Sequence, residues 1–168
     1  MYIHESLSVT PIHCLNNIGV EDSVWCALSL RDSDRMLIGL VYRSPNSSDA
    51  NNDKLLHLLQ DLPRIYPHTH LLLMGDFNFP NIDWCNNVVI GSDNSLTSKF
   101  FDITQDLFLT QHTSQPTRHK PGQRSSILDL IFTSDPANVD KLMDLPPIGS
   151  SDHQCLIWSY ICYKGCQL

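Results

Sequence analysis

The sequence lacks features that would place it in a membrane or in a secretory pathway. Its longest apolar runs, Leu71 to Met74 and Ile127 to Phe132 (interrupted by Asp129), are far shorter than the roughly 20 residues of a transmembrane helix. The N-terminus has neither a basic leader nor a continuous apolar segment followed by small residues, so it does not read as a signal peptide. We therefore expect an intracellular protein, nuclear or cytoplasmic, without a membrane partner.

Basic residues are also scarce. Eleven Lys and Arg stand against 18 Asp and Glu, which gives a formal charge of −7. This balance argues against a protein that coats nucleic acid by bulk electrostatics, so any nucleic-acid contact must be local. The acidic excess suits a site that gathers carboxylates around a divalent cation, although surface solubility explains it equally well.

The cysteines form no C-x-x-C pair, which disfavours a redox or zinc motif. We interpret all six as reduced thiols. A zinc site would need ligands to converge from these scattered positions together with His68 and His70, and it is the less favoured alternative. The cysteines are Cys14, Cys26, Cys85, Cys155, Cys162 and Cys166.

The apolar pattern predicts one α/β domain over residues 1–168, with no internal repeat. A run that stops at Gly75-Asp76 predicts a central strand covered on both faces. Strands separated by helices indicate packed sheets with helices outside, a layered sandwich. The predicted strands are 2–9, 24–30 and 36–43 as antiparallel neighbours, then 70–74, 127–133 and 154–162.

Two amphipathic helices are predicted between these strands. The first follows Pro45, with capping candidates at residues 46–49 and apolar residues at helical spacing up to Ile65. The second covers residues 96–109 and is capped by Ser95. Its predicted inward stripe comprises Leu96, Phe100, Ile103, Leu107 and Phe108.

Three segments place acids where strands meet loops: Asp76 with Asn78, Asp129 within an apolar strand, and Asp152 with His153. A buried unpaired carboxylate is costly, so each needs a cation, an imidazolium or several donors nearby. A single shared site would satisfy all three. Taken separately, each has a structural explanation: a turn cap at Asp76, backbone hydrogen bonding at Asp129 and a satisfied core imidazole at His153.

These segments carry a family resemblance. LLLMGDFNFPNIDW at 71–84, SSILDLIFTSDP at 125–136 and GSSDHQCLIW at 149–158 resemble the GDFN, LDLI and SDH motifs of the endonuclease/exonuclease/phosphatase superfamily. The similarity is greatest to the apurinic-type endonuclease domain of non-LTR retrotransposons. It covers nearly the whole chain, and the three motifs stand in the family's order.

The resemblance implies a four-layer α/β/β/α sandwich of two mixed sheets flanked by helices, and hydrolysis of DNA phosphodiester bonds with Mg²⁺ or Mn²⁺. By similarity, Asp76 would orient the attacking water and Asn78 would donate to the phosphoryl oxygens. His153 would lie beside the scissile phosphate, with Asp129 fixing its tautomer.

Three further roles follow from the same resemblance or from local charge. Asp152 is the expected metal or water ligand, and Tyr42 would contact the phosphate. The basic cluster Arg118, Lys120 and Arg124 could hold a DNA backbone phosphate, or it could be an ordinary solvated loop. Trp84 and Phe79 could stack on a base, but core packing is the favoured interpretation.

The sequence departs from the family in one respect. Members begin with a strand that ends in an Asn motif and a later strand with a metal-binding Glu; neither motif is found here, and Glu5 stands in the wrong context. We therefore expect an incomplete sandwich that holds its metal weakly and has impaired activity. The alternatives are an inactive remnant or binding protein of retroelement origin, and a phosphatase that acts on phosphoinositides or small phosphate esters.

Overall fold

A six-stranded mixed sheet lies at the centre of the computed structural model, which describes residues 1–16, 18–67 and 69–162. The spatial order is β1-β2-β3-β4-β8-β7; β3 and β4 are parallel, and the other pairs are antiparallel. In chain order the strands are β1 (Val9–Pro11), β2 (Ser23–Ser29), β3 (Arg35–Tyr42), β4 (His70–Asp76), β5 (Ile82–Asp83), β6 (Val88–Val89), β7 (Thr110–Gln111), β8 (Asp129–Thr133), β9 (Val139–Leu145) and β10 (Cys155–Tyr160).

Both predicted helices form where their capping residues indicate. Helix α2 (Asp49–Ile65) follows the short α1 (His13–Asn16) and begins after Ser48, whose hydroxyl accepts a hydrogen bond from the backbone N–H of Asn51. Helix α3 (Leu96–Asp106) begins after Ser95, whose hydroxyl accepts from the N–H of Ser98. None of the described helices is both long and apolar enough to cross a membrane.

The main core lies between these two helices and one face of the large sheet. The leucines of α2 and the side chains Phe100 and Ile103 of α3 are buried there against the sheet. Phe77 and Phe79 join the cluster, and Phe79 stacks on Phe100 with ring centroids 4.4 Å apart. The sheet contributes Trp25, Leu37, Val41, Leu71, Leu73, Leu130 and Phe132.

The opposite face of the large sheet packs against the antiparallel pair β9–β10. Leu156, Trp158 and Tyr160 alternate along β10 and face this second core, whose sheet side includes Met36, Ile38, Leu72 and Ile131. On the other side of the pair, Met143, Leu145 and Ile157 are 42–54% exposed. The described residues thus form the helix, sheet and sheet layers of an α/β sandwich, with the outer face of the small sheet open to solvent.

Two elements of the sequence prediction are wrong. Residues 2–8 form a turn-containing coil instead of a strand, because β2 pairs only with residues 9–11 at that edge. Phe108 does not face the core: α3 ends at Asp106, and a φ of +52° at Phe108 turns its side chain outward, where it is 87% exposed.

Several further elements were not predicted, among them β9 and the β5–β6 hairpin. Strand β9 has the polar sequence VDKLMDL, whose charges at 140, 141 and 144 obscure the alternation that would indicate a strand. The β5–β6 hairpin has only two residues per strand, too few for any period to be recognised.

Candidate active site

The large sheet aligns three polar side chains across adjacent strands. In the sheet register, Tyr42 at the end of β3 pairs with Asp76 at the end of β4, and Asp76 pairs with Asp129 at the start of β8. Residues in register on neighbouring strands share a face. By alternation from Ile38, Met74 and Ile131, this row lies on the face that meets β9–β10.

His153 completes this row from the segment that precedes β10. Its Nδ1 lies 2.8 Å from Oδ2 of Asp129, and each side chain is 25% exposed. One ligand atom from each of Asp76, Asp129 and His153 lies within 4.8 Å of the other two. The sheet and the segment before β10 therefore bring three of the predicted site residues to one point.

The 117–119 segment holds His153 in place through the backbone. The N–H of Gln154 donates to the carbonyl of Thr117 (2.7 Å), and the N–H of His119 donates to the carbonyl of Asp152 (2.8 Å). The fully buried hydroxyl of Thr117 accepts from the N–H groups of Leu128 and Asp129. Thr117 thus connects both partners of the His–Asp pair.

The electrostatics of the cluster suit a cation. Burial, and after it the charge of the neighbouring Asp129, raise the pKa of Asp76 to about 6, against the opposing effects of His153 and the hydrogen bonds from Asn78. Two carboxylates this close repel one another unless a positive charge neutralises them. Their oxygens are the ligand type that Mg²⁺ prefers, so the residues fit a divalent metal.

Asn78 is fixed by its own hydrogen bonds. Its backbone N–H donates to Oδ1 of Asp76 (3.1 Å), and its side-chain amide donates to the carbonyl of Arg43 (2.9 Å). The residue has a φ of +50°, a conformation that non-glycine residues adopt rarely. The side chain of Asn78 also hydrogen-bonds to the Asp76 carboxyl, and this contact lowers the pKa of that group.

Arg43 is part of this arrangement, and sequence reasoning missed it. Its side chain is only 8% exposed and donates to the carbonyls of Phe77 (3.3 Å) and Asn78 (3.1 Å). Burial lowers the pKa of the guanidinium from its ordinary value. An arginine at the end of a predicted strand is ordinarily expected to be exposed to solvent. Nothing in the sequence around Arg43 therefore indicated that its side chain would be buried.

Asp152 lies beside the cluster, but its carboxylate has a different partner. Its Oδ2 accepts from Nε of Arg118 at 2.9 Å. Partial desolvation tends to raise the pKa of Asp152, but the hydrogen bond and charge of Arg118 outweigh it and lower the pKa below its ordinary value. Asp152 is not one of the three residues whose ligand atoms converge, and its role as a metal ligand stays a prediction.

The other predicted residues are distributed around this point. Tyr42 is 49% exposed at the end of its row, and Lys120 and Arg124 are exposed in the loop before β8. Trp84 and Phe79 are 8% and 3% exposed, as the packing interpretation predicts.

A cleft of about 580 Å³ lies on the Arg118 side of the cluster, between the loop after β4 and the 114–127 segment. Two cations, Arg118 and Arg124, line it together with the indole of Trp84.

A zinc centre gains no support within the described residues. Cys26, Cys85, Cys155 and Cys162 are free thiols, and His70 hydrogen-bonds to Asp34 at 2.9 Å. His68, Cys166 and the side chain of Cys14 lie outside the described residues.

Comparison with known proteins decides the family. The profile of the endonuclease–reverse transcriptase family matches residues 36–157, which include every strand and loop that contributes to the cluster. The chain belongs to this family. No curated protein matches the chain.

Solved structures of endonuclease/exonuclease/phosphatase type share the fold of this family member. The endonuclease domain of TRAS1, a telomere-specific non-LTR retrotransposon, superposes with a TM-score of 0.69 at 16% identity over 96% of this chain and 72% of that one. The 3′ phosphatase NExo from Neisseria, bound to a product DNA hairpin, gives a TM-score of 0.52 at 16% identity over 82% of this chain and 64% of that one. The chain thus spans about two thirds of the second structure and somewhat more of the first.

Proposed function

We propose that this protein hydrolyses phosphodiester bonds in DNA with the help of Mg²⁺ or Mn²⁺. The observation that carries the proposal is the convergence of Asp76, Asp129 and His153 within 4.8 Å at one end of the sheet face. Phosphoryl transfer is governed by positioning and by neutralisation of spread negative charge. An imidazole, an amide and two carboxylates supply these functions together.

Each residue has a role that its contacts support. Asp76, when ionised, accepts a hydrogen bond from the attacking water and orients it. Asp129 fixes the tautomer of His153 through the 2.8 Å contact to Nδ1, which leaves Nε2 to face the scissile phosphate. Asn78 donates its side-chain amide to a phosphoryl oxygen when substrate is bound, and Tyr42 contacts the phosphate from the end of the row.

The metal would be held by the carboxylates of Asp76 and Asp129, with Asp152 as a further ligand direct or through water. When bound, it supplies positive charge to the phosphate oxygens and lowers the pKa of a coordinated water. This ligand set would form a weak site. Oδ2 of Asp129 already hydrogen-bonds to His153, and the carboxylate of Asp152 already accepts a hydrogen bond from Arg118. We therefore expect low metal affinity and impaired activity.

DNA is the proposed substrate because the positive charge near the site is local and faces a cleft. Arg118 and Arg124 line that cleft and, with exposed Lys120, would contact backbone phosphates. The two similar structures are a retrotransposon endonuclease and a phosphatase bound to a DNA hairpin, which supports the same substrate class. We place the protein inside the cell, nuclear or cytoplasmic, consistent with its free thiols.

A plasmid-nicking assay tests the proposal. We expect slow nicking by the protein with Mg²⁺, none with EDTA, and a loss of roughly 10² to 10⁴ in rate for His153→Ala. Arg64→Met is the matched control, because Arg64 lies on an exposed face of α2 and, among the described residues, forms an ion pair with Asp61 alone, at 3.2 Å. Equal nicking by His153→Ala would mean that the signal comes from a contaminant and would contradict the proposal.

The alternative is a catalytically inactive remnant or binding protein of retroelement origin. The weak ligand set favours it, since three ligand groups converge among the described residues, and Nδ1 of His153 is already hydrogen-bonded to Oδ2 of Asp129. No nicking above background, together with Mg²⁺ affinity no better than that of Asp76→Asn, would establish this alternative.

A further inference from the structure

Arg43 contacts all three residues of the turn that carries Asp76 and Asn78. Its backbone N–H donates to the carbonyl of Asp76 (2.8 Å), and its guanidinium donates to the carbonyls of Phe77 and Asn78. In return, its own carbonyl accepts the side-chain amide of Asn78 (2.9 Å). No other described residue hydrogen-bonds to all three.

The guanidinium is itself held from the opposite side. Its Nε donates to Oδ1 of Asn52 in the first turn of α2 (2.8 Å), and the Asn52 amide donates to the carbonyl of Ser47 (3.1 Å). The ring of Phe79 lies 4.3 Å from the guanidinium carbon, within range of a cation–π contact. Arg43 thus bridges the start of α2 and the turn after β4.

Burial of such a charge is costly; the charge of Asp76 favours the guanidinium, but no carboxylate among the described residues lies within ion-pair distance of it. Its donors go instead to backbone carbonyls and one amide. An apolar side chain in its place would leave the carbonyls of Phe77 and Asn78 and Oδ1 of Asn52 without this donor. The arrangement makes physical sense if the geometry of the turn is what needs to be fixed.

Asn78 is the residue whose geometry needs this support. Its positive φ costs free energy, and such a conformation persists only where its surroundings determine it. The guanidinium fixes the carbonyl of Asn78, while the Arg43 carbonyl fixes its side chain. Arg43 therefore fixes both the backbone carbonyl and the side chain of Asn78.

We propose that Arg43 is a positioning residue for phosphoryl transfer, which holds Asn78 and the Asp76–Asn78 turn in the geometry that the reaction requires. This inference rests on the proposed function. Arginine is suited to the role because its planar fork reaches two carbonyls and Asn52 at once, whereas the single ammonium of lysine cannot reproduce that geometry.

Steady-state nicking of plasmid DNA with Mg²⁺ tests the catalytic consequence. A misplacement of about 1 Å costs on the order of 10²-fold in rate, so we expect Arg43→Met to lower kcat about 10²-fold with KM changed only a few-fold. Arg43→Lys should recover part of this loss, and Arg64→Met should nick at the rate of the unmodified protein.

A double-mutant cycle separates positioning from general stabilisation. If Arg43 acts through Asn78, Arg43→Met should cost little further rate in an Asn78→Ala background. Fully additive losses, or an Arg43→Met rate equal to that of the unmodified protein, would overturn the proposal. Near-UV circular dichroism establishes that each variant is folded, and Arg43→Lys replaces Arg43→Met in the cycle if the latter is not.

An NMR measurement decides the structural part without any activity. In ¹⁵N-labelled protein, the side-chain amide signals of Asn78 should shift, and its backbone N–H should lose exchange protection, in Arg43→Lys but not in Arg64→Met. Unchanged Asn78 signals would overturn the proposal. If the unmodified protein nicks no DNA, the proposed function fails for this chain, and the NMR result still decides whether Arg43 positions Asn78.

Discussion

The face of the large sheet that meets β9–β10 has two dissimilar ends. Towards one end, Ile38, Leu72 and Ile131 pack against apolar residues of β10, and all three are buried. At the other end, the same strands and the same alternation present Asp76 and Asp129, both half-buried. One end therefore stabilises the fold, while the other holds two carboxylates at a cost in stability.

A stabilising apolar contact and a polar site are thus combined on a single pair of strands. Alternation places every second residue of β4 and β8 on the same face, so the site needs no element of its own. The apolar end supplies the free energy that offsets the repulsion between the carboxylates.

Gly75 lies in β4 directly before Asp76, and its replacement should have the largest effect on stability. A Cβ built there would lie 1.8 Å from the carbonyl oxygen of Val41, and the φ of Gly75 is +142°. We expect Gly75→Ala to prevent folding or to lower stability by more than about 4 kcal/mol. Urea unfolding followed by circular dichroism measures this.

Gly91 provides the matched control for this substitution. It has the same φ of +142°, but a Cβ there would meet nothing within 4 Å. Gly91→Ala should therefore cost only the backbone strain, on the order of 1–3 kcal/mol. If both variants lost the same unfolding free energy, the clash with Val41 would contribute nothing to the destabilisation by Gly75→Ala.

The apolar end should be sensitive to loss of volume, unlike the polar end. Ile131 is 1% exposed, so Ile131→Ala should lower the free energy of unfolding by about 2–5 kcal/mol. Asp129→Asn, two residues away on the same face, preserves volume and should change it by less than about 1.5 kcal/mol. If urea titrations at pH 7 showed a larger loss of unfolding free energy for Asp129→Asn than for Ile131→Ala, the apolar end would not be the one that stabilises the fold.

Removing charge at the polar end should increase stability. The pKa of Asp76 is raised from 3.8 to about 6 in the folded protein, so the folded state favours the protonated form. Its stabilising contribution is complete below about pH 4 and is lost as the pH rises through 6. We expect Asp76→Asn to be more stable at pH 7 by on the order of 1 kcal/mol, with no gain at pH 4.

The titration of Asp76 also governs metal binding, but here the ionised carboxylate is the favourable form. Protons compete with Mg²⁺ for Asp76, so affinity should fall as the pH is lowered through 6. Isothermal titration calorimetry between pH 5 and 8 measures this dependence. A Mg²⁺ affinity that is independent of pH in this range would exclude Asp76 as a ligand.

The smallest effect is expected away from both ends, at the end of α3. Phe108 has a φ of +52° and is 87% exposed, so its side chain contributes little packing while its backbone is strained. Phe108→Gly should raise the free energy of unfolding by up to about 1 kcal/mol. A loss of stability on thermal unfolding would instead indicate that the exposed ring has a contact that stabilises the fold.

Much of the fold was predictable because the relevant signals are local. Caps at Ser48 and Ser95 and the apolar run that ends at Gly75-Asp76 predict α2, α3 and β4 correctly. Strand β9 was missed because charged residues interrupt its alternation, and residues 2–8 were misread because alternation without a pairing partner does not make a strand.

The site was predictable only in part. Acids and an imidazole at strand ends, read together with the family's motifs, indicated that Asp76, Asp129 and His153 would meet, and the structure places them together. The pairing of Asp152 with Arg118 and the burial of Arg43 were not predictable, because both depend on contacts between residues 34 or more positions apart. The chemical roles of these residues stay predictions.

Paramagnetic broadening by Mn²⁺ tests most directly whether the cluster is a metal site. In NMR spectra of the ¹⁵N-labelled protein, substoichiometric Mn²⁺ should broaden the signals of Asp76, Asp129 and the His153 imidazole together, and leave those of Thr133 at the other end of β8 sharper. Asp76→Asn should abolish this pattern. Broadening that is spread over the acidic surface, or that is unchanged in Asp76→Asn, would contradict the account.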